Sequence, residues 1–198
     1  MKAIDSFRAN IARARELGQL YNALSAITTP ALNTNDLIRS QIVMAVSALD
    51  HFIHETVRQN MVAIYEGTRP NVPGFSKFSV SLADAKASIP ASSSVWVDNA
   101  IRQNHSYLSF QHPDKIADAI RLIYEAPLWP AIEVRLGAPA RDIKEQLKLI
   151  VDRRNKISHE ADIDPSFPGA RWPISYRDST FATDFIEKLV EAINEEIE

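Results

Sequence analysis

Late in the chain, Arg154-Asn155-Lys156-Ile157-Ser158-His159 sets a guanidinium and an imidazole five positions apart. A guanidinium carries a rigid fork of donors that can hold a phosphate or a carboxylate through two parallel hydrogen bonds. An imidazole titrates near neutrality and can take up or release a proton. Together they can bind an anion and move a proton beside it. Arg154 also breaks a pattern. Ile143, Leu147, Ile150, Arg154 and Ile157 recur at steps of four, three, four and three, so a charge stands in an apolar helical stripe. A buried guanidinium is costly unless it is paired or reaches water. Three compensations are open: a carboxylate such as Asp50 or Glu55, a solvent-filled cleft that takes an anion, or the surface of a second subunit.

Positions five apart on an ideal helix differ by about 140° in azimuth, so Arg154 and His159 do not share a face. Asn155 and His159, four apart, do, and Asp152 lies a further turn back on that side. For Arg154 and His159 to meet at one phosphate, the arginine must wrap, the helix must deform near its end, or two copies of the segment must meet across a dimer. The last arrangement also gives Arg154 a reason to lie on a partner-facing stripe. Arg153 falls on another face and reads as a solvated residue or a contact to an RNA backbone. Lys156 reads as the partner of Asp152 in a surface ion pair. Glu160 and Asp162 act on His159 or bond to the loop that follows. Asp50, His54, Arg153 and Ser158 are further candidates for support of the site. His51 and His54, flanked by Asp50 and Glu55, form a metal-like pair without a third ligand, and the solvated reading is preferred. His105 and His112 read as solvated residues at loop ends. Trp96, Trp129 and Trp172 read as core or loop anchors.

The elements that position these residues read as helices. Ile4, Phe7, Ile11, Ala14, Gly18, Tyr21 and Leu24 mark a first helix, ended at Thr28-Thr29-Pro30 because the residue before proline avoids helical geometry. Thr34 or Asn35 caps a second, along Ile38, Ile42, Ala45, Leu49, Phe52, Thr56, Val57 and Met61, running to Glu66-Gly67. Residues 67–77 read as a loop, 79–88 as a short helix, and Pro90 to Ser94 as a break. Val95–Leu108 and Asp114–Tyr124 read as helices, and Ala126–Ala138 as a turn or a short distorted helix. Pro139 suits the first turn of the helix that carries Arg154. A proline-rich loop spans Asp162–Tyr176, and Asp178 or Ser179 caps a last helix along Phe185, Leu189, Ile193 and Ile197. The fold class is therefore all-α, an antiparallel bundle with long core helices, in one domain over residues 1–198.

The 198 residues suffice for one domain with a real core. With no cysteine there is no disulfide, thiolate zinc site or cysteine nucleophile. No signal-peptide pattern and no membrane-spanning run is visible, so a cytoplasmic protein without membrane contact is expected. A net charge of −3 and the lack of a basic stripe argue against a protein that coats nucleic acid, but not against one that grips RNA through a few arginines.

The segment from Arg154 to His159 resembles the signature of the HEPN superfamily: an Arg, a polar residue directly after it, and a His four to six residues on. Its setting is similar too, at the end of a long amphipathic helix, before a proline-rich loop and one closing helix. Upstream, Ser47-Ala48-Leu49-Asp50-His51-Phe52-Ile53-His54-Glu55 is similar to the matching helix of these domains. Trp129-Pro130 through Pro165 looks like the HEPN subgroup found beside RNA-ligase-type, RNA-processing and defence partners. The resemblance implies a metal-independent endoribonuclease of toxin or anti-phage defence type, needing no cofactor and working at a homodimer interface. In that chemistry the ribose 2′-OH attacks the adjacent phosphate. Arg154 stabilises the phosphoryl charge, His159 exchanges the proton, and Asn155 orients His159 or holds a phosphate oxygen. Expected partners are a second copy, an RNA substrate, and an antitoxin or effector protein. The alternative is a non-catalytic HEPN dimerisation module that partners a nucleotidyltransferase or another effector.

Overall fold

The computed structural model describes residues 1–29, 32–88, 93–167 and 169–198. Helices hold 72% of the described residues and no strand forms among them, only one isolated bridge between Ile163 and Arg171. The class is all-α, as the periodicity predicts.

Four long helices make the frame: α1 (Ala3–Ile27), α2 (Asn35–Tyr65), α8 (Ala140–His159) and α9 (Tyr176–Ile197). Short helices lie between them: α3 (Pro73–Ser76), α4 (Leu82–Ser88), α5 (Val95–His105), α6 (Pro113–Ile120) and α7 (Leu128–Leu136). α1 and α2 pack antiparallel, with Phe7 edge-on to Phe52 at 5.8 Å between ring centroids. Gly18 leaves room for the side chain of Gln41, since a Cβ there would stand 2.5 Å from Gln41 Oε1. α2 is central. Beyond the predicted stripe it also buries Val46, Ala48 and Ile53, and it meets α1, α5, α6, α8 and α9. A helix that is apolar on several sides belongs inside.

Arg39 and Arg153, both bonded to Asp162, and Gln41 with Thr183 tie the remaining long helices to α2. The apolar stripe of α8 buries Ile143, Leu147, Ile150 and Val151, and that of α9 buries Leu189, Ile193 and Ile197. No described helix is long and apolar enough to cross a membrane.

Several boundaries differ from the expectations. Residues 126–138 hold the regular helix α7, because Pro130 falls in its first turn, where no backbone donor is needed, and Gly137 at φ 63 ends it. The cap of α9 is Ser175, not Asp178 or Ser179; Asp178 closes a capping box on it. α5 and α6 stop earlier than expected, at His105 and Ile120, and the 67–77 loop contains the single turn α3. α1 ends as expected ahead of Pro30, at Ile27 with Thr28 as its cap, while Pro30 itself and residues 89–92 lie outside the described residues.

Candidate functional site

α8 runs as regular helix to its last residue, His159, and Glu160 caps it. The helix therefore does not deform to bring Arg154 and His159 together. Arg154 is half-buried, as its place on the stripe requires, and Ser158 and His159 are exposed. Among the described residues Arg154 makes no ion pair. The two carboxylates expected as its partners are engaged elsewhere. Asp50 Oδ1 accepts the backbone N–H of Phe110 at 2.6 Å. Glu55 is held by Arg58 at 2.7 Å, and that hydrogen bond keeps its carboxyl below the usual range.

Two features set Arg154 apart. Its Nε is buried with no hydrogen-bond partner. Its Nη1 donates to Asn155 Oδ1 at 3.0 Å, which links it to a residue that shares a face with His159. The amide donors of Asn155 form no hydrogen bond among the described residues. The arrangement offers a guanidinium, an amide and an imidazole at the exposed end of one helix.

Asp50 and His54 do not join this group. Asp50 lies eleven residues, about 16 Å, along α2 from Arg39, which bonds at the end of α8, and His54 lies one turn further. His54 packs on Phe110 at 4.4 Å between centroids and on His105 at 6.2 Å. His105 is not solvated. It is 6% exposed, enclosed by Phe78, Phe110 and His54, and burial with His54 beside it pulls its imidazole down to about 4. The loop after α5 folds back to place Phe110 on it, a tertiary event that local spacing does not show. His112 caps α6. Among the described residues no group of three metal-ligating side chains gathers around His51 and His54.

Arg153 is not a solvated residue. Its Nη2 donates to Asp162 Oδ2 at 2.8 Å and to the carbonyl of Pro173 at 3.1 Å. Burial pulls this guanidinium below its ordinary value against the opposing pull of Asp162, and it stays protonated at neutral pH. Arg39, which no pattern in the sequence marks, donates from Nε to the same Oδ2 at 2.7 Å and from Nη2 to the Trp172 carbonyl at 2.9 Å. Asp162 itself is 1% exposed. It bonds to the loop, its backbone carbonyl accepting the Trp172 N–H at 2.8 Å. Lys156 lies over the Trp172 ring at 5.0 Å rather than pairing with Asp152. The turn after α8 is strained: Ala161 and Asp162 have φ 52 and 58. Left-handed backbone costs a non-glycine residue about 1–2 kcal/mol.

The family model of RiboL-PSP-HEPN matches residues 8–198. The chain belongs to this family. No curated protein and no solved structure matches it. The match takes in every residue described above, from Arg39 on α2 to Pro173 after α8. HEPN domains typically dimerise, and membership supports a nuclease or RNA-related module in general terms.

Proposed function

We propose that the chain is a metal-independent endoribonuclease of toxin or anti-phage defence type, acting as one HEPN-like unit over residues 1–198 that pairs with a second copy. Arg154 carries this reading. It is a half-buried charge in an apolar slot, without a carboxylate partner among the described residues, turned toward Asn155 on the face of His159. An anion supplied by a substrate would complete it.

In the proposed reaction the 2′-OH of a ribose attacks the adjacent phosphorus and the bond to the 5′-oxygen of the next nucleotide breaks. His159 takes the proton of the 2′-OH or delivers one to the leaving oxygen. Arg154 binds the phosphoryl oxygens as charge builds on them. The Asn155 amide, whose oxygen already holds Arg154, is free to donate to a phosphate oxygen. The products are a 2′,3′-cyclic phosphate end and a 5′-hydroxyl. A regular helix between Arg154 and His159 favours a cleft shared by two copies, one supplying the arginine and the other the histidine.

The test is cleavage of RNA by the purified chain and by Arg154→Ala and His159→Ala. Each variant should lose about 10²-fold or more in rate. Their melting temperatures should stay close to that of the parent, because neither side chain has an ion pair among the described residues and Arg154 loses only its hydrogen bond to Asn155. Cleavage undiminished in both variants overturns the proposal. The second reading, a non-catalytic module that docks a nucleotidyltransferase or another effector, is favoured by the net charge of −3 and by an apolar groove of about 360 Å³ on the α9 side of α8. Leu149 and Phe181, 59% and 54% exposed, line it. Growth arrest on expression of the parent chain but not of His159→Ala separates the two readings.

A further inference from the structure

His159 is the last residue of α8 and makes no side-chain hydrogen bond among the described residues. Helix ends of this kind fray. Where its imidazole stands is therefore set by the backbone that follows it, and that backbone is held in an unusual way. Glycine is the ordinary choice for a left-handed helix stop. Here the stop consists of Ala161 and Asp162, both left-handed and neither glycine. Strain of this sort persists only where the surroundings over-determine it.

The surroundings converge on Asp162. Its backbone N–H donates to the Lys156 carbonyl at 2.9 Å, which closes the end of α8. Its carbonyl accepts the Trp172 N–H at 2.8 Å. Its Oδ2 is shared by Arg39 of α2 and Arg153 of α8, at 2.7 and 2.8 Å. The same two arginines bind the Trp172 carbonyl, so the helix end, the loop and α2 are tied at one point. A second carboxylate, Asp36, lies 3.6 Å from Arg39 and also pairs with Arg171 in the same loop. Breaking one arm of a buried ion group strands charge, so this clamp is held firmly once formed.

We propose that Asp162 is a positioning residue: clamped by Arg39 and Arg153, it fixes the strained stop of α8 and so sets where His159 stands. The inference rests on the endoribonuclease reading for its effect on rate, but not for its effect on His159. Asp162 touches no substrate atom in this scheme. It acts through the helix end, and Arg39 acts from α2 through Asp162.

The experiment compares the full chain with Asp162→Asn and Arg39→Lys. Two readouts are taken: steady-state RNA cleavage, and nuclear magnetic resonance of the His159 ring with hydrogen exchange of the α8 amides. Loosening the catalytic histidine should lower kcat by about 10- to 100-fold with KM nearly unchanged. The His159 ring resonance should shift. Exchange at Ser158, His159 and Glu160 should quicken while that at Leu147 and Ile150 stays slow. An unshifted His159 resonance with unchanged exchange at the helix end overturns the proposal. So does exchange that quickens evenly along α8, which would make the clamp a matter of general stability. If Asp162→Asn does not fold, Arg39→Lys, which keeps the charge and loses the fork, decides the matter by the same readouts. Undiminished cleavage by His159→Ala would remove the nuclease reading and leave the resonance and exchange data to decide this one.

Discussion

Arg154 shows how much one residue can convey through its place in a pattern. A charge in an apolar helical slot has to be explained, and among the described residues no carboxylate pairs with it. His105 is the opposite case. Nothing in its local spacing marks it, yet it ends up enclosed by Phe78, Phe110 and His54, with its imidazole down at about 4. The unfolded chain holds a histidine near 6.5, so the unfolded state binds the proton more readily than the folded one. The stabilisation is present in full above about pH 6.5 and is lost as the pH falls toward about 4. Between pH 7 and pH 5 the loss from this one group should be about 2 kcal/mol. Denaturant unfolding at those two values should show that loss in the parent chain and a smaller one in His105→Phe. Equal losses in the two proteins would place the acid sensitivity elsewhere. Arg39, Asp162 and Arg153 share the concealment of His105. Each looks like an ordinary surface charge in sequence, and only the meeting of α2 with the loop after α8 makes them one buried group.

At the scale of the element, the long helices were readable because each carries several turns of apolar period. α8 and α9 follow their predicted stripes, and α2 differs mainly in burying more sides than one. The short elements were not readable to the same degree. α7 has only nine residues and includes Pro130, so periodicity has little to act on. The proposed site can be picked out in the sequence as a segment, Arg154 to His159, whereas the surroundings of Asp50 and His54 cannot, because these two are directed to α5 and Phe110. The outer face of α8 adds a feature that a search for a basic stripe passes over. Arg141, Lys144 and Lys148 fall within about 60° of azimuth of Asn155 and His159, a side they share with Asp152; Arg141 and Lys148 are exposed and Lys144 is half-buried. Neither Lys144 nor Lys148 has an ion pair among the described residues. If RNA is the substrate, its backbone should track along this row. Lys144→Glu with Lys148→Glu should weaken RNA binding at low salt and reduce the dependence of log Kd on log salt by about one to two. Parallel salt plots for the parent chain and the double variant would place the RNA on another face.

For the molecule as a whole, the regularity of α8 has a consequence that can be measured. Within one chain Arg154 and His159 diverge by about 140°, and the helix does not bend to correct this. A composite site, with Arg154 from one copy and His159 from the other, resolves the divergence. A site built within one chain requires the arginine to wrap past Asn155. Mixing two inactive proteins tells these apart. In a dimer of Arg154→Ala with His159→Ala, a composite arrangement leaves one site with neither group and the other site intact. If subunits exchange at random in an equal mixture, half of the dimers are of this kind, and activity should return to about a quarter of the parent value. A site contained within each chain would return nothing, since every chain then lacks one group. The assay should follow the time course of exchange, because recovery that rises with subunit mixing and is absent immediately after it ties the restored cleavage to the interface.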